Sequence, residues 1–68
     1  MTLRRILARN LKRMRQERGL TQEELADLAQ LNRNYVGMIE RRENAATVDT
    51  LEALAKALQV EVVVLLTP

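Results

Sequence analysis

The stretch LNRNYVGMIERRE, residues 31–43, concentrates side chains suited to recognising a polar, irregular surface. If it is helical, each residue advances about 100°. Val36 and Ile39 then point inward with Leu31, while Asn34, Gly37, Met38 and Arg41 point outward. Arg33 stands at the exposed N-terminal edge. Arginine can pair two-pronged with guanine, asparagine with adenine, and methionine can touch a thymine methyl. A glycine inside an exposed helix costs roughly 1 kcal/mol against alanine, and what it offers in return is close backbone approach to a partner. An ordinary solvated helix face carries the same residue types, so the pattern needs support from the elements that position it.

Those elements follow from periodicity and capping. Leu3, Ile6, Leu7, Leu11 and Met14 recur at helical spacing, and Gly19 stops this first helix. Thr21 and Glu24 form a T-x-x-E capping box, with Leu20 and Leu25 placed as a hydrophobic staple. A second helix therefore opens at Gln22, burying Leu25, Leu28 and Ala29, with Ala26 close by. Asn32 is a favourable N-cap, Leu31 and Val36 repeat the staple, and a third helix is expected from Arg33 to about Arg41. Two helices joined by so tight a turn make a helix-turn-helix. Thr47 caps a fourth helix, Asp49 suits its positive end, and Leu51, Leu54, Ala55 and Leu58 form its inner face. The tail VEVVVLLTP is ambiguous. Its valines favour a strand, Glu61 is a poor N-cap, and yet Val60, Leu65 and Leu66 could close the core as one helical turn over 61–66. The helix is the preferred reading. The expected fold is thus all-α, four to five helices in one domain spanning 1–68.

Composition narrows the chemistry. A chain of 68 residues buries only a modest core, and the absence of cysteine removes disulfides. Without Ser, Cys or His, most nucleophile–base pairs and the usual zinc sites cannot be built. The chain is therefore read as no enzyme, with no metal, cofactor or evident small-molecule effector. Charge is uneven: residues 1–22 carry Arg4, Arg5, Arg9, Lys12, Arg13, Arg15 and Arg18 against Glu17 alone. That asymmetry suits a polyanionic partner, although a solvated basic face would look the same. No apolar run approaches the roughly 18 residues of a membrane span, and the basic start lacks a signal-peptide core. A cytoplasmic protein is the expectation. Single-stranded nucleic acid is disfavoured, since Tyr35 is the only aromatic residue and stacking platforms need several.

The strings LTQEELA, NYV..IE and TL..LAKAL.V occur in order, with gaps that closely resemble the Cro and phage-repressor type of helix-turn-helix domain, often termed Xre-like. The resemblance runs from about Leu11 to Leu66. It implies a compact lambda-repressor-like domain of prokaryotic or phage origin that binds double-stranded operator DNA, commonly as a homodimer, and regulates transcription. Carried over by position, Arg33, Asn34 and Met38, with Gly37 adjacent, would read bases. Gln22 with Thr21 would grip phosphate, joined by Asn32 and Tyr35 at the helix edge and by Arg41, Arg42 and Asn44 after the recognition helix. Arg15 would pair with Glu40 structurally. Three departures stand out: the family often has glycine in the turn where this chain has Gln30, and often has glycine where it has Arg42. The third is the apolar tail, where Val62, Val63, Val64, Leu65 and Leu66 are expected to form a dimer interface or to finish the monomer core. Alternatives on the same fold are an antitoxin partnered by a toxin, a restriction–modification controller, a regulator touching RNA polymerase, or a protein-interaction module that does not read DNA.

Overall fold

A computed structural model describes residues 2–43 and 46–68, and every regular element in them is helical. The order is α1 (Leu3–Glu17), α2 (Gln22–Leu28), α3 (Tyr35–Glu40), α4 (Val48–Leu58) and α5 (Val62–Leu65). The tail ambiguity resolves as helix: α5 is a single turn whose N-cap Glu61 makes no side-chain cap bond. Leu7, Leu11 and Met14 of α1, Leu25, Ala26 and Ala29 at α2, Val36 and Ile39 of α3, Leu54, Ala55 and Leu58 of α4, and Leu65 of α5 form one apolar core. α3 packs between α1 and α2, while α5 lies on α1 and α4.

The helix starts follow local hydrogen-bond chemistry. Thr21 Oγ1 accepts the Glu24 N–H at 3.0 Å, and Glu24 Oε1 accepts the Thr21 N–H at 2.8 Å, which is the reciprocal capping box. Thr47 Oγ1 accepts the Thr50 N–H at 3.1 Å. Thr2 caps α1 in the same way, accepting the Arg5 N–H at 3.3 Å.

The helix ends share one device that the sequence discloses only at Gly19. α1 to α4 are each followed by a residue of positive φ: Gly19 at 67°, Gln30 at 59°, Arg42 at 61° and Gln59 at 59°. The next residue then donates back five positions in each case: Leu20 to Arg15 at 3.1 Å, Leu31 to Ala26 at 2.8 Å, Glu43 to Met38 at 2.8 Å, and Val60 to Ala55 at 2.9 Å. These are Schellman endings, which satisfy otherwise orphaned carbonyls. In three of them the donor is apolar, and Leu20, Leu31 and Val60 pack back onto the core. Gln30 and Arg42 therefore occupy left-handed positions where glycine would be unstrained.

Some expectations are corrected. On α2, Leu28 is 59% exposed and Ala26 is fully buried. At about 100° per residue, Leu25, Ala29 and Ala26 span the inner arc and Leu28 falls outside it. Leu3 is 64% exposed, because the first turn of α1 overhangs the core. α3 begins at Tyr35 rather than Arg33. Asn32 still acts as a cap, but of a preceding turn: its Oδ1 accepts the Asn34 N–H at 2.9 Å and its carbonyl accepts the Tyr35 N–H at 2.9 Å. Leu65 is fully buried and belongs to the core, so it cannot form an intersubunit surface.

One polar residue on the α1 stripe was not anticipated. Asn10 is 1% exposed, and its Nδ2 donates to the carbonyls of Thr67 at 2.7 Å and Leu65 at 3.0 Å. It thereby ties the end of α5 to α1. Its position, one turn beyond Ile6 and Leu7, was the available signal, since a polar residue on an apolar stripe is the informative kind.

The strained helix ends yield a direct test. An L-residue in the left-handed region costs roughly 1–2 kcal/mol, while glycine carries a larger unfolded-state entropy of roughly 0.5–1 kcal/mol. Gln59→Gly, at an exposed site, is expected to stabilise the domain by about 0.5–1 kcal/mol, raising Tm by several degrees. A calorimetric scan showing a lower Tm would contradict the role given to this backbone position.

Candidate nucleic-acid interface

Three helices meet at one carboxylate. Arg15 of α1 donates from Nε to Glu40 Oε2 at 2.7 Å and from Nη2 to Oε1 at 3.1 Å, while its Nη1 donates to the Leu20 carbonyl at 2.8 Å. Gln22, the first residue of α2, donates from Nε2 to Glu40 Oε1 at 3.1 Å. The two charged side chains keep only 11% and 4% of their exposure. Donating to Glu40 raises the Arg15 guanidinium above its ordinary value against the opposing effect of burial, so the arginine stays charged. α1, α2 and α3 are thus held in register at the point where the helix-turn-helix opens.

Gly37 has a different role from the open outward position expected of it. It is buried, and a Cβ there would stand 2.9 Å from Gln22 Oε1 and 2.9 Å from Arg41 Nη1. The missing side chain is the space in which the ends of Gln22 and Arg41 lie. Gly37 therefore shapes the surface by seating two polar side chains, and its own backbone is covered by them.

Arg33 and Asn34 are exposed in the turn leading into α3, and Asn32 beside them is exposed too. Glu23 of α2 lines the same shallow depression as these three residues. Glu23 was missed in the sequence, where it reads only as an ordinary first-turn acid; its carboxylate could accept from a cytosine amino group. Met38 and Tyr35 are half-buried on α3. Arg41 and Arg42 are exposed. Arg41 is engaged by Glu43, donating from Nε at 2.9 Å and from Nη2 at 3.2 Å. That hydrogen bond holds the Glu43 carboxyl below its usual range, though the pair is solvent-exposed. Asn44, expected to touch phosphate, lies outside the described residues. The structure thus gathers Gln22 and Arg41 over Gly37, and Asn32, Arg33 and Asn34 with Glu23 around one depression between α2 and the turn into α3.

At α5, Val63 is 67% and Val64 40% exposed, and Val62 and Leu66 are half-buried. Among the described residues no cluster of His, Cys, Asp or Glu could hold a metal ion, and no helix is long and apolar enough to cross a membrane.

Comparison with known proteins agrees with this geometry. Residues 11–65 match the Helix-turn-helix family. The chain is 45% identical to the Control protein C.SmaI of Serratia marcescens over 67 residues, covering 98% of this chain and 80% of that protein. Its structure superposes with a TM-score of 0.95 on the hypothetical transcription factor NHTF from Neisseria, at 39% identity, covering 98% of this chain and 77% of that one. The restriction-modification controller protein C.AhdI from Aeromonas hydrophila superposes with a TM-score of 0.87 at 35% identity, covering 91% of this chain and 94% of that one.

The seat at Gly37 separates folding from binding. The atoms a Cβ would meet are the far ends of flexible side chains. Gly37→Ala is therefore expected to change stability by no more than about 1 kcal/mol, the helix propensity gained offsetting the Gln22–Glu40 hydrogen bond lost, while displacing Gln22 and Arg41 and weakening duplex DNA binding. Thermal unfolding and a duplex titration check both halves, and an unaltered duplex affinity would show that the seat does not matter for recognition.

Proposed function

The chain belongs to the Helix-turn-helix family of transcriptional regulators, and from that membership we propose that it reads a specific operator in double-stranded DNA as a homodimer. The observation that carries the proposal is the exposed pair Arg33 and Asn34 leading into α3, with half-buried Met38 one turn on and the Glu40 network tying α3 to α1 and α2. A recognition helix contacts base edges with residues at its N-terminal end. Arg33 and Asn34 occupy that end, in the turn entering α3, and Met38 lies one turn further along. Thr21, Gln22, Asn32 and Tyr35 serve as phosphate contacts, as do Arg41 and Arg42, and Asn44, outside the described residues, is assigned the same role. Glu40 and Arg15 touch no DNA and hold Gln22 in place.

Dimerisation is assigned to Val63 and Val64, with Val62 and Leu66 at the margin. A pair of exposed valines on a one-turn helix has no role in the monomer core, and burying them against a second copy removes apolar surface from water. A twofold dimer then presents two recognition helices about 34 Å apart, one turn of DNA, to a near-palindromic site. Binding such a site in the cytoplasm regulates transcription by blocking or recruiting polymerase.

A second, narrower reading is favoured by a specific observation. The 45% identity to Control protein C.SmaI over 98% of this chain, together with the likeness to C.AhdI, supports a restriction–modification controller acting through the same DNA-binding surface. Neighbouring restriction and methyltransferase genes would distinguish it from a phage-type repressor.

Selection from random duplex pools is expected to enrich a two-part inverted repeat. On that sequence, Arg33→Ala should cost about 1–3 kcal/mol and relax specificity at one base position per half-site. Equal losses on selected and random duplexes would remove Arg33 from the readers. Val63→Asp, at a site exposed in the monomer, is expected to leave unfolding unchanged and to shift the sedimenting species from dimer to monomer. A wild-type protein that sediments as a monomer at micromolar concentration would refute the assigned interface.

A further inference from the structure

The end of α5 is held by one side chain of α1. A single helical turn is unstable alone, and α5 has little to support it: Glu61 makes no side-chain cap bond, and Leu65 is its one buried residue. The last carbonyls of a helix have no donor within it, and Asn10 supplies one. Its Nδ2 faces the carbonyls of Thr67 at 2.7 Å, Leu65 at 3.0 Å and Val64 at 3.4 Å. Two amide protons are thus shared among three acceptors. Thr67 Oγ1 adds a bond to the Val63 carbonyl at 2.6 Å. The other end of the amide is not served. No donor among the described residues reaches Oδ1, although Asn10 is only 1% exposed. A buried acceptor left without a donor is costly, and an apolar side chain of similar size avoids that cost. Asn10 stands among Ile6, Leu7, Leu11 and Met14 on the buried side of α1. The packing of α1 therefore does not account for an amide at position 10, whereas the three carbonyls at the end of α5 do.

Those carbonyls fix the placing of Val63 and Val64. Both valines are exposed, and both belong to the turn that Asn10 holds. Apart from Leu65, every residue of the apolar core lies before α5, so fraying of α5 leaves the packing of α1 to α4 in place. A frayed α5 has to be ordered as two copies meet, and that ordering weakens association. We propose that Asn10 is a positioning residue for dimerisation: its amide holds α5 in the arrangement that presents Val63 and Val64 to a second copy. A chain lacking the amide folds but pairs poorly. The inference rests on the α5 dimer reading given above.

The test uses Asn10→Leu, which removes the donor and the orphaned acceptor together. Val63→Asp is the comparison, since it alters the surface of α5 and leaves its attachment alone. Hydrogen exchange reads the order of α5 through the Val64 and Leu66 amides, which donate to the Glu61 and Val63 carbonyls. Sedimentation equilibrium reads the dimer dissociation constant. In Asn10→Leu these two amides should exchange roughly tenfold faster than in Val63→Asp, with the α4 amides unchanged, and the dissociation constant should rise roughly tenfold over wild type. Comparing two weakly pairing variants separates fraying of α5 from loss of the partner itself. If Asn10→Leu fails to fold, Asn10→Ala removes the donor without added bulk and carries the same expectation. A dissociation constant within about twofold of wild type, α5 amides as slow as in Val63→Asp, or an equal acceleration in α4 would overturn the role of Asn10 while leaving the α5 interface intact. Wild-type protein that sediments as a monomer at micromolar concentration would instead overturn the dimer reading and this role with it.

Discussion

The arrangement of the helix-turn-helix depends on the Glu40 carboxylate. It stands at the last residue of α3, takes two hydrogen bonds from Arg15 of α1, and takes a third from Gln22 at the first residue of α2. A nearly buried carboxylate is tolerable only when its lone pairs are satisfied by well-placed donors. Because those donors come from two other helices, satisfying the charge also fixes the angle at which α3 is presented. Removing one partner of a buried pair typically costs about 3–5 kcal/mol. A domain of this size has a total stability of about 0.05–0.15 kcal/mol per residue, so the charge cluster is decisive for whether the domain folds as well as how it presents α3.

A second constraint acts on the chain direction. With only 68 residues, the domain must turn sharply after each helix. The repeated left-handed endings at Gly19, Gln30, Arg42 and Gln59 satisfy the last carbonyls and reverse the chain in the fewest residues. After α1, α2 and α4 the ending also delivers an apolar residue to the core, so one motif serves both hydrogen bonding and burial. After α3 the delivered residue is Glu43, which reaches back to Arg41 and keeps the ending polar. Of these four helices, α3 is therefore the one whose exit is polar.

Much of this was legible because capping and periodicity are local. Thr21 with Glu24, and Thr47, announced their helices, and the starts of α2 and α4 follow from them. The family strings fixed the order of the elements and pointed to Arg15 and Glu40. Features set by three-dimensional neighbours were not legible. Leu28 and Ala26 exchanged roles because a seven-residue helix has too narrow an inner face for both. Gly37 was read outward because periodicity gives its direction but not the side chains of Gln22 and Arg41 that cover it. Leu65 could not be separated from its exposed neighbours Val63 and Val64, since consecutive apolar residues carry no periodic signal. The strain at Gln30, Arg42 and Gln59 was hidden because none of them is glycine.

These local choices also explain how so small a chain can carry a rigid recognition surface. A side chain that must meet a ligand in one geometry has to be held by packing or by further hydrogen bonds, and this domain has no second layer of structure to supply them. It uses its structural bonds instead. Gln22 is both a tie between α2 and α3 and a group at the groove edge, and Arg41 rests over the gap left by Gly37 while paired to Glu43. The consequence is coupling between fold and function. A substitution at Arg15 or Glu40 disturbs the packing of three helices together with the placing of Gln22, whereas one at the exposed positions Arg33 or Asn34 has little structure to disturb. Position 37 is the exception on the covered side, because glycine there supplies only an absence, and filling it moves the ends of Gln22 and Arg41 without touching the apolar core.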